Sequence, residues 1–251
     1  MVNELTYQTP TRPPWRRALR RAFKWGHTMR WRALPPDYTR TYHVKANGFD
    51  IIVLPSVFHP TWHFTSLFLA EACEQLVQPN ARVLEIGTGT GLVALSAARH
   101  ASRVVAVDIN PLAVECARLN VRNNGMDRKV EVYEGDMFAP VAGERFDVIL
   151  CNPPYFRGAP RSNVEAAYMG GSNLEWISRL ATEAHDHLNE HGSLYCVFGD
   201  AADVSSLVAL IEQQGWTGQI AAKRDLLTEE LTIWRFRVSD PRLPIPDPQP
   251  S

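Results

Sequence analysis

The sequence predicts an α/β domain built on a mostly parallel sheet, and three observations predict it. Apolar runs at 83–86, 104–107 and 146–151 have the length of buried strands, and each ends in residues with a chemical use: glycines, an aspartate, an Asn-Pro-Pro turn. Stretches with helical apolar spacing separate them. The last two strands, near Ile220 and over 231–238, form an antiparallel pair that follows the alternating strands and helices.

Composition bounds the rest. The chain has 251 residues, 45% of them hydrophobic, enough for one α/β domain with an extension. The net charge of −1 excludes a general nucleic-acid binder, yet residues 1–45 carry ten Lys or Arg against two acids, so +8 at one end is offset by −9 elsewhere. Cys73, Cys116, Cys151 and Cys196 are scattered without a C-x-x-C, as reduced core thiols of a cytosolic protein would be. There is no apolar stretch of membrane-spanning length and no signal-peptide core, so the expectation is a cytoplasmic protein with no membrane partner.

In chain order, residues 1–12 read as disordered. Pro13 and Pro14 then open a helix over 13–34 with Trp15, Leu19, Ala22 and Phe23 on one face and Arg16, Arg17, Arg20, Arg21 and Lys24 over the rest. A lid on the main domain is the favoured role; a basic face for RNA or a ribosome-associated protein and a membrane-surface helix are the others. The last is weakened by Gly26 and Thr28. Runs at 42–45 and 49–53 flank Ala46-Asn47-Gly48 and read as a hairpin. His59 and His63 stand four apart, but Pro60 opposes a helix spanning both and no third ligand is near, so no metal site is expected. Trp62, His63 and Phe64 suit the wall of a pocket for a planar substrate, with core packing as the alternative. An amphipathic helix follows over 67–77.

The strand at 83–86 runs into Gly87-Thr88-Gly89-Thr90-Gly91 and the helix beginning Leu92. Glycine there lets a ligand lie against the backbone, and a helix N-terminus offers N–H groups. Asp108, 17 residues after Gly91, ends the next strand. Asn110 caps the following helix and Pro111 begins it, which leaves Asp108 to accept from a ribose diol. The spacing is G-x-G-x-G preceded by Glu85 rather than the dinucleotide pattern G-x-G-x-x-G, so another adenosine ligand is favoured. A third strand over 130–133 leads to Gly135-Asp136-Met137-Phe138, and the fourth to Asn152-Pro153-Pro154-Tyr155. Beyond lies a surface loop over 156–169. Ser172 to Glu175 then reads as a capping box for a helix with Leu174, Ile177, Ala181, Ala184 and Leu188 buried. A strand over 193–198, a helix with Val204, Leu207, Val208 and Ile211 on one face, and the final strand pair complete the domain.

Glu85 to Gly91 resembles motif I of the class I S-adenosylmethionine (SAM) methyltransferases, and Asp108 resembles their ribose-binding acid. Asn152 to Tyr155, with Gly170-Gly171 ahead of the next helix, is similar to the HemK/PrmC-type glutamine methyltransferases and their relatives. The similarity runs from Phe49 to Val238. It implies a Rossmann-like class I methyltransferase fold, strand order 3-2-1-4-5-7-6, with an N-terminal helix and hairpin extension: residues 1–40 the basic extension, 41–239 the methyltransferase domain, 240–251 a Pro-rich tail. It implies SAM as cofactor, held by Glu85, Gly87, Thr88, Gly89, Gly91, Asp108, Ile109, Asp136, Met137, Asn152 and Thr65. Asp136 would accept from the adenine amine. Phe64 stands where the family often carries an acid ahead of its Thr.

The chemistry follows from residue types. The lone pair of an amide or aromatic amine is delocalised, so the nitrogen attacks a methyl sulfonium poorly unless its N–H bonds are held out of the reactive orientation. The Asn152 side-chain oxygen and the Pro153 carbonyl can accept those protons, while Tyr155 stacks on the planar group and Phe156 adds to the wall. Three functions are expected in order: an N-methyltransferase for a planar nitrogen of a protein or nucleic acid, a small-molecule N-methyltransferase, and a non-catalytic SAM-binding partner subunit. Intact Asn152 to Tyr155 counts against the last. Oligomeric state is not legible.

Overall fold

The computed structural model describes residues 37–62, 64–226 and 229–239. The expected helix over 13–34 with its three roles, His63, and the tail 240–251 lie outside the described residues. Tyr42–Ala46 (β1) and Phe49–Val53 (β2) form the expected hairpin, with Asn47 and Gly48 at φ 47° and 78°. After it come α1 (Phe64–Leu76), β3 (Arg82–Ile86), α2 (Leu92–Ala97), β4 (Arg103–Asp108), α3 (Pro111–Asn123), β5 (Val130–Glu134), β6 (Phe146–Cys151) and a single turn, α4 (Asn163–Ala166). Then follow α5 (Glu175–Ala184), β7 (Leu188–Gly199), α6 (Val204–Glu212), β8 (Trp216–Asp225) and β9 (Glu230–Val238).

Strands β3 to β9 make one sheet in the order β5-β4-β3-β6-β7-β9-β8. Pairing is parallel from β5 to β7 and antiparallel across β7, β9 and β8. Counted from β3 this is the expected 3-2-1-4-5-7-6. The apolar runs are continuous because helices cover both faces. Val83, Val104 and Val148 join a core with Phe68, Val93 and Val114, while their neighbours Leu84, Val105 and Ile149 join a second with Ile177, Leu180 and Leu207. From β3 the chain winds outward to β5, then returns to start again at β6. A crevice therefore opens past the carboxyl ends of β3 and β6.

The hairpin is a separate sheet, and its outer edge is closed by amides from α3. Asn120 accepts from Ile52 N at 2.8 Å and donates to Ile52 O at 2.7 Å; Asn124 does the same for Asp50 at 3.2 and 3.0 Å. Residues four apart on a helix thus pair with residues two apart on a strand. Asn120 also donates to Thr90 O at 2.9 Å, tying the hairpin to the glycine turn.

Three local expectations need correction. Ser172 and Glu175 form no capping box: Leu174 is the N-cap, at φ 61° with no side-chain cap bond, and this conformation buries its side chain in the second core. Glu175, at the first helical position, accepts instead from Asn173 N at 3.1 Å. Leu188 is buried as expected but on β7, because a 3-10 turn over His185–His187 ends the helix early. The loop over 156–169 contains α4, whose Ser162 hydroxyl accepts from Glu165 N at 3.2 Å. Its ends are pinned by backbone bonds from Phe156 N to Tyr168 O, Gly170 N to Phe156 O, and Gly158 N to Gly171 O.

Candidate active site

A cavity of about 360 Å³ fills the crevice. Its floor is the turn after β3. Gly87, Gly89 and Gly91 have φ of 76°, 54° and 80°, a region side chains rarely adopt. A Cβ on Gly87 would meet nothing within 4 Å, so the space before it stays open; one on Gly91 would stand 3.2 Å from Ala117 of α3. Gly91 is thus a packing glycine, and it is not on the cavity wall, whereas Gly87, Thr88 and Gly89 are.

Glu85 is buried at the end of β3, where its Oε2 accepts from Thr88 Oγ1 at 2.6 Å and Ala94 N at 2.9 Å. It therefore occupies an N–H of the helix start that sequence reasoning left open for ligand. Burial pushes its carboxyl up to about 8, against those two hydrogen bonds and with nearby Asp108 adding to the rise. Asp108 accepts from Gly89 N at 2.8 Å on Oδ2 and Asn110 N at 2.9 Å on Oδ1. Each oxygen keeps a lone pair for a diol. Burial raises its pKa, and the backbone N–H groups oppose this. Asn110 caps α3, as expected, by accepting from Leu112 N. Beside it Ile109 is 63% exposed on the cavity wall, an aliphatic face for a planar base.

Asp136 and Met137, next to Gly135 whose N–H donates to Asp108 O at 3.0 Å, also line the cavity. Met137 sits at φ 50°, in the left-handed region. The Asp136 carboxylate accepts from Arg179 Nη1 at 3.0 Å, and Arg179 shares the wall with Trp176 one turn earlier on α5. Sequence reasoning missed both, since on a helical stripe they look like solvent-side neighbours of the buried Ile177 and Leu180.

Asn152 follows β6 and faces the same cavity. Its Nδ2 donates to Thr65 Oγ1 at 3.1 Å and Ser66 Oγ at 2.9 Å; Oδ1 has no partner among the described residues. Thr65 is buried behind the wall and reaches the site through Asn152, while Ser66 lines the cavity. The Pro154 carbonyl packs on Gly170, where a Cβ would collide with it. The Pro153 carbonyl accepts no backbone N–H among the described residues.

The expected aromatic wall is placed differently. Tyr155 packs against Phe198 at 6.0 Å and Phe156 at 5.0 Å between ring centroids, and neither Tyr155 nor Phe156 lines the cavity. Trp62 stacks on His59 at 4.0 Å and meets Tyr38 and Tyr42 edge-on, so it belongs to a cluster under the hairpin. Phe64 is exposed and off the wall. Besides Trp176, the aromatic residue that does line it is Phe58, which also contacts Tyr168 of the loop, itself bonded through its hydroxyl to Tyr38. Among the described residues no group of three or more His, Cys, Asp or Glu is placed to hold a metal, and no helix is long and apolar enough to cross a membrane.

Comparison with known proteins matches residues 48–224 to the family described as "Methyltransferase small domain". The chain is similar to a ribosomal protein uL3 glutamine methyltransferase of Bradyrhizobium diazoefficiens, at 37% identity over 51% of this chain and 44% of that one. It is similar to a putative protein N5-glutamine methyltransferase of Methanocaldococcus jannaschii, at 29% identity over 77% of this chain and 99% of the other. The chain spans about half the length of most of the curated relatives it matches. In fold it is similar to the T. thermophilus 16S rRNA methyltransferase RsmC, solved with AdoMet and guanosine, with a TM-score of 0.59, 23% identity, and 80% and 50% of the two chains covered.

Proposed function

The chain belongs to the methyltransferase small domain family, and from that premise we propose that it is a SAM-dependent N-methyltransferase, acting in the cytoplasm on a planar nitrogen of a translation protein or a nucleic-acid base. The observation that carries this reading is that Asn152 lines the same cavity as Gly87, Gly89 and Asp108. The residues present fit the cofactor: an open glycine floor, a carboxylate with lone pairs to spare, and an exposed aliphatic beside it. When bound, SAM supplies an electrophilic methyl on a sulfonium. The chain itself binds and orients the acceptor. Asn152 Oδ1 and the Pro153 carbonyl accept N–H protons, which fixes the plane of the group so that the lone pair perpendicular to it faces the cofactor end of the cavity. The consecutive Pro153 and Pro154 stiffen that turn.

A glutamine amide is favoured by the two relatives named for that activity, and an exocyclic base amine meets the same two acceptors. Tritium transfer from labelled SAM into cell extract, fractionated into protein, RNA, DNA and small molecules, tests the reading. Label in a macromolecular fraction that Asn152→Ala reduces roughly 10²- to 10³-fold per folded molecule supports it. Label only among small molecules overturns the macromolecular acceptor, and no transfer with intact SAM binding overturns the enzyme.

A further inference from the structure

A carboxamide beside a cavity can present either its oxygen or its NH₂, and the two choices have opposite consequences for an acceptor that arrives with N–H bonds. Asn152 is held by two hydroxyls from consecutive residues at the start of α1, Thr65 and Ser66, each within hydrogen-bond distance of Nδ2. In the orientation observed, each hydroxyl accepts one of the two hydrogens of that NH₂. The reversed orientation would aim both donors into the cavity, where an incoming N–H meets them donor to donor. Nothing in the family resemblance gives Ser66 a role.

We propose that Thr65 and Ser66 form a two-hydroxyl bracket that fixes the rotamer and amide orientation of Asn152, making both positioning residues for capture of the acceptor N–H. The proposal rests on the reading of Asn152 as that acceptor group. Its location matters: the bracket belongs to α1 and Asn152 to the end of β6, so the first core, which holds α1 on the sheet, also holds the orientation of the amide.

Two measurements on the full chain test it. In protein labelled with ¹⁵N-asparagine, the Asn152 side-chain NH₂ pair, identified by its loss in Asn152→Asp, should exchange slowly with solvent, and Ser66→Ala should accelerate that exchange at least fivefold. This arm needs no acceptor. In the tritium-transfer assay Ser66→Ala should lower the rate roughly 5- to 20-fold, as expected for one hydrogen bond acting in the transition state. Ser66→Thr should recover most of the loss. Thr65→Ser, which keeps the hydroxyl, should fall far less than Thr65→Val. In an Asn152→Ala background Ser66→Ala should add nothing, because it acts only through the amide. Unchanged NH₂ exchange in Ser66→Ala overturns the bracket. So does a fall in SAM affinity, read by calorimetry, that parallels the fall in rate, since Ser66 would then be a cofactor contact. If Asn152→Ala transfers at the normal rate, the catalytic reading of Asn152 fails while the exchange measurement still judges the bracket.

Discussion

At the scale of single residues, the structure separates groups that face the cavity from groups that hold those groups in place. Asp108→Ala should cost about 1.5 to 3 kcal/mol of cofactor affinity, roughly ten- to hundredfold, through lost charge-assisted bonds to the ribose. Its carboxylate also braces Gly89 N, so the melting temperature should fall with it; calorimetry and thermal unfolding read the two separately. Tyr155→Ala should act on stability, losing about 2 to 4 kcal/mol as a void opens beside Phe198, with turnover per folded molecule nearly intact. His59 gives a pH signature. It is buried against Trp62, its Nε2 has no partner among the described residues, and burial lowers its pKa from 6.5 to about 4. The native state then binds fewer protons than the unfolded chain between pH 6.5 and 4, so stability falls as pH drops through that window, by on the order of 3 kcal/mol. His59→Phe should flatten that part of a denaturation-against-pH curve. The residues legible in the sequence were those whose type is tied to a turn or a strand end: Glu85, Asp108, Asn152. Trp62 and Phe64 misled because an aromatic residue near a pocket carries no sign of which way its ring points.

Elements were legible where local chemistry decides them and obscure where tertiary packing does. Asn47-Gly48 announces its hairpin by backbone preference alone. Its partner was hidden, because Asn120 and Asn124 look like ordinary polar positions of α3 until the strand edge is laid against them. Asn120→Leu should cost about 2 to 4 kcal/mol, since it strands Ile52 N and Thr90 O and leaves Ile52 O only the weak Cys116 thiol donor, whereas the more exposed Asn124→Ala should cost about 1 kcal/mol or less; denaturant unfolding measures both. The turn after β3 also titrates. Because Glu85 is pushed up to about 8, its native form holds a proton that the unfolded chain releases above pH 4.5. Stability from this group is full below that value and is lost as pH rises toward 8. A cationic ligand in the cavity favours the carboxylate, so SAM binding near neutral pH should expel a fraction of a proton, and Glu85→Gln should abolish that. Calorimetry in buffers of different ionisation enthalpy reads the proton directly.

At the scale of the whole molecule, the sheet order was legible because continuous apolar runs mean strands covered on both faces, and the resemblance supplied their sequence across the sheet. The wall formed by Trp176 and Arg179 was not, since it depends on how α5 docks. The segment over 156–171 leaves and rejoins the frame through reciprocal backbone bonds at Phe156 and Gly158, independent of the side chains between. Doubling the length of a flexible loop adds only about 0.6 kcal/mol of closure entropy. Pro160, Ala166 and Ala167 of this segment line the cavity, so lengthening, shortening or grafting residues 159–167 should leave the melting temperature and cofactor affinity nearly unchanged while altering which acceptor is labelled, as thermal unfolding, calorimetry and the tritium assay read.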